Sequence, residues 1–291
     1  MQDYRMATFL TVCKTLNYTR AAEQLHITQP AVSQHIQYLE SHYGVQLFAH
    51  IGKTLSITDA GRLLLCASTT MQHDEAILKE QMQSGKRLQM NFGATRTIGD
   101  FLMPEKLAPY ITAHPETDVM MIVDNTETLL QKINLGELDF ALIEGFFHKT
   151  EYDYWDYSRE HYIAVCSKHY PMPNKLRQIN DLFEERILLR EKGSGTREVL
   201  HRYLEERNCH IQDFSKRIEI GSISAIKSLL CAGCGISFLY EVSVRAELDS
   251  GALRIIPLID FDVYHDFSMV WRKNSVFQSR YTDIFHDLLR K

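Results

Sequence analysis

Apolar residues recur at helical spacing through the first sixty residues, with short breaks between the runs. The run from Tyr4 to Leu16 predicts a first helix. Its inner face is predicted at Met6, Phe9, Leu10, Cys13 and Leu16. A short second helix is predicted to bury Ala21, Ala22 and Leu25, and a break follows at residues 26–28.

A third helix follows this break. Thr28 is a plausible N-cap, Pro30 fits the first turn, where its missing N–H costs nothing, and Gly44 ends the helix. Its buried face is predicted at Val32, Ile36, Leu39 and Tyr43. The three predicted helices therefore have one apolar side each and can enclose a small core.

Residues 46–58 alternate around Gly52 and predict a two-stranded hairpin. A long helix is then predicted from Asp59 to about Ser84, which would be about 39 Å long. One stripe of this helix carries Ala60, Leu63, Leu64, Ala67, Met71, Leu78 and Met82. An apolar seam on a single long helix predicts pairing with a partner, although Asp74 and Gln81 interrupt it.

The pattern changes near residue 88. From there, short apolar strands alternate with amphipathic helices, as in a parallel α/β sheet. The predicted strands are residues 89–94, 119–124, 140–145, 187–190, 217–220, 236–240 and 267–271. The predicted helices include residues 196–207, 225–232 and 278–289.

The composition is that of an ordinary globular protein, with 45% hydrophobic and 24% charged residues, and 291 residues favour two domains. The chain has no apolar run of about 18 residues, and its first residues lack the features of a signal peptide, so we expect a cytoplasmic protein without a membrane partner. The six cysteines are then expected to be reduced and buried.

Charge leaves nucleic-acid binding undecided. The net charge is −5, and the four basic residues among the first sixty are balanced by four acidic ones. The third helix is more informative, because its face opposite the apolar stripe carries Gln29, Ser33, Gln34 and Gln37. Neutral donors and acceptors of this kind read base edges, whereas a helical hairpin with a merely solvated edge more often carries Glu and Lys.

Residues 3–61 resemble the N-terminal domain of LysR-type transcriptional regulators. The resemblance lies in Phe9, the run from Thr19 to Leu25, residues 29–33, Ile36, residues 39–40, the run from Gly44 to Phe48, and Leu55, Thr58 and Gly61. It implies a winged helix-turn-helix whose third helix enters the major groove of double-stranded operator DNA, with Gln29, Ser33, Gln34 and Gln37 near bases or phosphates. Arg20, Thr28, Pro30, His50 and Lys53 would seat the domain on the DNA.

The wing departs from the family pattern. His50 stands where the family usually has a basic residue, which leaves Lys53 as the only permanent cation of the wing. Phosphate contacts set much of the affinity for DNA. We therefore expect weak binding by one domain and strong dependence on homodimers or homotetramers.

Two other motifs were considered. Residues 52–54, Gly-Lys-Thr, do not end a phosphate-binding loop, because Leu47 stands where that motif needs glycine. Cys231 and Cys234 have redox spacing, but their sequence context favours structural packing. We find no catalytic constellation and predict no enzyme, metal or cofactor.

Three predicted strand-to-helix turns point to a ligand cleft. They are residues 93–99 (GATRTIG), 125–128 (NTET) and 191–198 (EKGSGTRE). Helix N-termini with hydroxyls favour anions, although each turn taken singly is better interpreted as an ordinary Ser or Thr cap; three such turns at equivalent positions favour a ligand cleft. The predicted effector-binding residues are Thr95, Arg96, Thr97, Asn125, Thr126, Ser194, Gly195 and Thr196.

This half resembles the periplasmic-binding-protein-like effector domain of the LysR family, and most closely its sulfur and cysteine metabolism branch. The resemblance implies an α/β fold in three parts: a winged helix-turn-helix at 1–58, a dimerising linker helix at 59–88 and an effector domain at 89–291. The two lobes would span about 89–160 with 267–291, and about 161–266. The predicted function is transcriptional regulation by a small anionic effector; the alternative is a small-molecule-binding protein or enzyme whose N-terminal helices serve assembly only.

Overall fold

The computed structural model describes residues 3–52, 54–82, 89–149, 151–172 and 175–289. The chain forms two compact units. The first contains the N-terminal part through the long helix, with residues 134–137 and 273–278, and the second contains the rest.

The first unit contains the predicted helices and hairpin. The helices are α1 (Tyr4–Thr15), α2 (Tyr18–Leu25), α3 (Gln29–Tyr43) and α4 (Asp59–Met82), and the antiparallel hairpin is β1 (Phe48–Ile51) with β2 (Thr54–Ile57). Thr28 caps α3 by accepting a 3.3 Å hydrogen bond from the Ala31 N–H. Gly44 ends α3 with a φ of 69°, a left-handed conformation that favours glycine. Both predicted helix ends are therefore confirmed.

The predicted core of this unit is confirmed except at two positions. Phe9, Val32, Ile36 and Leu39 are buried. Leu16 and Tyr43, which the spacing placed inside, are 44% and 47% exposed. Leu16 follows the last turn of α1 in a left-handed conformation, and Tyr43 is the last residue of α3, so both lie where the helices pass beyond the core.

Helix α4 leaves much of its predicted apolar stripe uncovered. Leu63, Met71, Leu78 and Met82 are 75%, 65%, 46% and 74% exposed. Leu64, by contrast, is half-buried against the core of the first unit. Residues 83–88, which include the predicted end of the linker helix and the domain boundary, lie outside the described residues.

The second unit is an α/β structure. Its strands are β3 (Gln89–Thr95), β4 (Asp118–Asp124), β5 (Phe140–Ile143), β6 (Tyr152–Ser167), β7 (Arg186–Leu189), β8 (Lys216–Glu219), β9 (Ile236–Tyr240), β10 (Leu253–Ile255) and β11 (Val263–Arg272). Its helices are α5 (Arg96–Phe101), α6 (Met103–Ala113), α7 (Thr126–Asn134), α8 (Gly195–Glu205), α9 (Ile223–Cys231), α10 (Glu241–Asp249) and α11 (Gln278–Leu289). Two short 3₁₀ helices lie at Ile179–Leu182 and Ile211–Asp213.

The strands form one sheet in the order β4-β3-β5-β11-β6-β9-β7-β8, and β10 pairs with β6. The pairs at each end are parallel, as predicted, whereas β6 and β11 are antiparallel to each other at the centre. Strand β11 also pairs with β5, and β6 also pairs with β9. These two long strands therefore join two parallel halves.

The sequence interpretation omitted β6, α10 and β10. The first ten residues of β6 are mostly half-exposed and its last six are buried, so neither an alternating nor a continuous apolar pattern extends through it.

The prediction for the cysteines was also wrong in part. Cys166 is buried, but Cys66 and Cys231 are exposed. Cys231 is the last residue of α9 and is not among the buried residues of that helix. All six cysteines are free thiols. In the part of the chain that the structure describes, no helix is long and apolar enough to span a membrane.

Candidate DNA-binding face and effector cleft

The predicted DNA-contacting residues lie on the outside of the first unit. Gln29, Gln34 and Gln37 are exposed along α3, Ser33 is half-buried, and the stripe of Val32, Ile36 and Leu39 faces inward. Arg20, Thr28, Pro30 and His50 are also exposed. Lys53 lies outside the described residues. The helix therefore presents an uncharged polar edge opposite its core face.

Two of the predicted base-reading side chains contact each other. Gln29 Nε2 donates a 2.9 Å hydrogen bond to Ser33 Oγ, one helical turn away. This bond orients the amide of Gln29 along the helix and leaves its carbonyl oxygen as an acceptor.

Among the described residues of this unit, several cations are paired with carboxylates. Arg5 pairs with Asp3 at 2.9 Å, and Arg62 pairs with Asp59 at 2.7 Å. Arg20 is exposed, and the structure gives it no ion pair within the described residues. The face is therefore suited to hydrogen bonding with DNA more than to strong electrostatic attraction.

In the second unit, the three predicted strand-to-helix turns lie where expected. Thr95 is the last residue of β3, Asn125 follows β4, and Ser194 immediately precedes α8. Strands β3 and β4 are parallel neighbours, with Thr95 beside Asp124 in register, so the first two turns lie at one edge of the sheet.

The hydroxyls at these turns differ from ordinary helix caps. The Asn125 side chain accepts a 2.9 Å hydrogen bond from the Thr128 N–H, as a cap does. Thr95 and Ser194 occupy N-cap positions but make no side-chain capping bond. Their hydroxyls and that of Thr126 are buried and without a hydrogen-bond partner among the described residues. Buried polar groups are normally paired, so these three hydroxyls indicate a missing partner such as a ligand.

A cavity of about 440 Å³ opens beside two of these turns. It is lined at the turns by Thr126, Ser194 and Gly195, and further out by Phe146, Phe147 and Tyr152 with the charged residues Glu127, Glu151, Glu198 and Arg202. Of the eight predicted effector-binding residues, these three line this cavity and the other five do not.

A carboxyl group that the sequence interpretation did not single out lies behind the turns. Glu144 directly follows β5 and is 1% exposed. The Thr196 hydroxyl donates a 2.6 Å hydrogen bond to Glu144 Oε1, while Oε2 is buried without a partner among the described residues. Burial raises the pKa of the Glu144 carboxyl, and the hydroxyls of Thr196 and Thr97 oppose that rise. Thr97 and Thr196 thus face a protein carboxyl group and do not reach the cavity.

Two buried tyrosines fix the backbone around this carboxyl group. Tyr162 donates a 2.8 Å hydrogen bond to the Thr196 carbonyl, and Tyr240 donates a 3.1 Å bond to the Glu144 carbonyl. Burial holds the pKa of both phenols well above the ordinary tyrosine value, so both remain neutral donors.

The nearby arginines are mostly committed to protein partners. Arg190, which is 3% exposed, makes two hydrogen bonds to the carboxylate of Glu191, but its second terminal nitrogen, NH1, is buried and unpaired within the described residues. Arg96 Nε lies 3.7 Å from Glu191 Oε1. Arg197 donates to the Arg190 carbonyl and to Glu219. Neither Arg96 nor Arg197 lines this cavity, although Arg197 lines a neighbouring one together with Ser194.

The start of α8 touches the end of β5 through two glycines. A Cβ atom built on Gly195 would lie 2.7 Å from Gly145 Cα and 3.0 Å from Thr126 Oγ1. Only glycine allows the two backbones to approach so closely. Gly145 was not predicted as part of the site, although its place directly after Glu144 and a buried strand was a usable signal.

The fold and these sites define a DNA-binding head joined to an α/β domain with a ligand cleft. Residues 4–62 match the family described as bacterial regulatory helix-turn-helix protein, lysR family, and residues 83–291 match the LysR substrate binding domain. The chain therefore belongs to the LysR family of transcriptional regulators, and it is not an enzyme. Members of this family bind operator DNA and small-molecule effectors and form oligomers.

Two named relatives are HTH-type transcriptional regulators. The chain is 30% identical over 256 residues to the HTH-type transcriptional regulator CfxR of Cupriavidus necator, which covers 86% of this chain and 79% of that protein. It is 26% identical over 269 residues to the HTH-type transcriptional regulator CysL of Bacillus subtilis, covering 91% and 89% of the two chains.

Solved structures share the fold at lower identity. ArgP from Mycobacterium tuberculosis has a TM-score of 0.70 at 19% identity and covers 97% of this chain and 95% of its own. Full-length LysG from Corynebacterium glutamicum, solved with bound effector Arg, has a TM-score of 0.68 at 16% identity and covers 99% and 97%. The whole length of the chain thus has the fold of full-length LysR regulators.

Proposed function

We propose that this regulator reads its operator with α3. Ser33, Gln34 and Gln29 would contact base edges in the major groove, with Gln37 beside them, while Arg20, Thr28, Pro30, His50 and Lys53 seat the head on phosphates. The uncharged polar edge of α3, opposite a fully buried stripe, is the observation that carries this proposal.

We further propose that residues 1–58 form the DNA-binding domain, 59–88 the linker helix and 89–291 the effector domain. The exposed apolar stripe of α4 supports a homodimer formed through the linker, and dimers would pair into homotetramers. Because the chromosome is its partner, the protein would act in the cytoplasm.

The proposed effector is a small anion seated between the turns at residues 95–97, 125–126 and 194–196. The unpaired hydroxyls of Thr95, Thr126 and Ser194 support it, as do the N-termini of α7 and α8, which offer N–H groups and partial positive charge. Thr196 and Thr97 would hydrogen bond to the anion only when released from Glu144. Arg96 and Asn125 would not contact the anion and would instead stabilise the turns that do. The chain is similar to several regulators, of which CysL is one. Because the turn sequences most resemble the sulfur and cysteine metabolism branch, we propose a role in sulfur metabolism.

Effector binding would alter DNA binding by shifting an equilibrium between two arrangements of subunits. A ligand can do so only by binding one arrangement more tightly than the other. A cleft whose two sides meet at Gly145 and Gly195 would provide such a difference if a bound ion changed how closely those backbones approach.

Selection from random duplex DNA by the full chain tests the DNA-binding half of the proposal. We expect enrichment of a two-fold symmetric sequence, because a homodimer presents two equivalent heads. Recovery of unenriched random sequence at low salt would show that α3 does not read bases. This result does not depend on any property of the effector cleft.

A further inference from the structure

A buried protein carboxyl group lies directly behind the turns where the anion is proposed to bind. Glu144 is 1% exposed, and its Oε1 accepts from Thr196 at 2.6 Å. The carboxyl group thus uses a donor of the α8 turn that an oxyanion would need.

We propose that Glu144 is a built-in competitor of the effector: its carboxylate occupies the anion position in the unliganded protein, and an oxyanion binds by displacing or neutralising it. This inference rests on the proposed anionic effector and adds how that site is regulated. It predicts that the affinity for anions is set by this one side chain as well as by the groups that contact the ion.

The groups around Glu144 satisfy it only in part. Its Oε2 is buried without a hydrogen-bond partner, and so are Arg190 NH1 and Ser194 Oγ within the described residues. A carboxylate with two oxygens cannot satisfy donors that come from several turns at once. A sulfate or thiosulfate ion offers more acceptor oxygens and can accept from several donors together.

The surrounding charges allow the exchange. The positive group that acts on Glu144 is Arg190, at the end of β7, which already pairs with Glu191. Tyr162 from β6 and Tyr240 from β9 are neutral, and the turns of α5 and α8 contribute the hydroxyls of Thr97 and Thr196. Because Arg190 is already neutralised by Glu191, its charge is too small to stabilise both an ionised Glu144 and a bound anion nearby.

Exchange at Glu144 would be transmitted directly to the contact across the cleft. The next residue, Gly145, approaches Gly195 so closely that a Cβ on Gly145 would lie 3.1 Å from Gly195 Cα. Movement of the Glu144 side chain out of its pocket changes the backbone on which that contact depends. The cleft can therefore report whether the carboxylate or the effector occupies the anion position.

Calorimetry on the full chain with sulfate and thiosulfate, compared with Glu144→Gln, tests the proposal. Glutamine keeps the shape of the side chain but removes the negative charge, so anions should bind about tenfold more tightly or better. Both probe ions stay fully ionised above about pH 5, so wild-type affinity should fall as pH rises through the raised pKa of Glu144, whereas that of Glu144→Gln should stay level. Histidines near the cavity are present in both proteins, so the difference between them isolates Glu144.

Two further variants serve as controls. Glu206→Gln removes one charge from an exposed carboxylate outside the cleft and should change sulfate affinity by less than about twofold. Glu144→Asp keeps the charge and should remain as weak as the wild type at pH 8. Equal or weaker anion binding by Glu144→Gln, or no binding of either ion by either protein, overturns the proposal. Neither result bears on selection of operator DNA.

Discussion

The Thr196 hydroxyl donates a 2.6 Å hydrogen bond to Glu144 Oε1 in the interior of the α/β unit. The two residues are 52 positions apart and belong to different parts of the cleft: Thr196 lies in the first turn of α8, and Glu144 directly follows β5. The bond therefore joins two sides of the cleft through a group that can gain or lose a proton. The predictions for the effector domain follow from it.

The stability of Glu144→Gln should depend on pH less than that of the wild type. Because burial raises the pKa of Glu144, the folded protein binds this proton more tightly than the unfolded chain does. The stabilisation is complete below the ordinary glutamate range and is lost as pH rises through the raised pKa. As pH rises from the ordinary glutamate pKa towards the raised one, the wild-type free energy of unfolding should fall relative to the variant by up to about 1.4 kcal/mol per pH unit. Urea titrations at several pH values measure this, and parallel curves for the two proteins would contradict it.

Gly195→Ala should disturb the cleft. The added Cβ would meet Gly145 Cα at 2.7 Å, so the two backbones must separate. We expect a loss of about 1–3 kcal/mol of stability and weaker sulfate binding. Gly221→Ala is the matched control, because its Cβ would meet nothing closer than 3.8 Å. Thermal unfolding and calorimetry of both variants decide the point, and equal behaviour would show that the close approach has no role.

Met71→Asp should weaken the homodimer. Met71 is 65% exposed on α4 within the apolar stripe, and a carboxylate buried there on pairing would lack a partner. Sedimentation equilibrium of the full chain should show a dimer dissociation constant raised about tenfold or more. Gln72→Asp, on a neighbouring exposed position of the same turn, should have little effect. A monomeric wild-type chain would refute dimerisation altogether.

Ser33→Ala combined with Gln34→Ala should reduce discrimination between operator and random DNA while the fold stays intact. Neither side chain contributes to the buried stripe of α3, and a good base contact is worth about 1–3 kcal/mol. The ratio of dissociation constants for the selected duplex and a scrambled duplex measures the loss. Gln72→Ala, which changes an exposed glutamine on α4, should leave that ratio unchanged. Full discrimination by the double variant would exclude both residues as readers.

The N-terminal unit was predictable because its signals are local. The spacing of Val32, Ile36 and Leu39 identifies the inner face of α3, and the residues that begin and end the helix, Thr28 and Gly44, act through bonds within a few positions. The errors at Leu16 and Tyr43 lie at helix ends. There the helical spacing still predicts burial, but the core does not extend that far.

The effector cleft was predictable only in outline. The turns at Thr95, Asn125 and Ser194 follow strands, so their position could be anticipated from the α/β pattern. The role of Glu144 could not be anticipated in this way. It depends on a contact with a residue far away in the sequence, and a single carboxyl group after four apolar residues does not show that its side chain is buried. Strand β6 was not predicted because its burial changes along its length, from mostly half-exposed residues in its first part to buried residues in its last part.

The most direct test of the whole account is the affinity of the full chain for its selected operator, measured by fluorescence anisotropy while sulfate or thiosulfate is titrated at constant ionic strength. The account predicts that at least one ion changes operator affinity by about fivefold or more, which corresponds to a coupling of about 1 kcal/mol. The change should occur at lower ion concentration in Glu144→Gln than in the wild type. Operator affinity that stays the same at every ion concentration in both proteins would contradict a regulator controlled by an anion in this cleft.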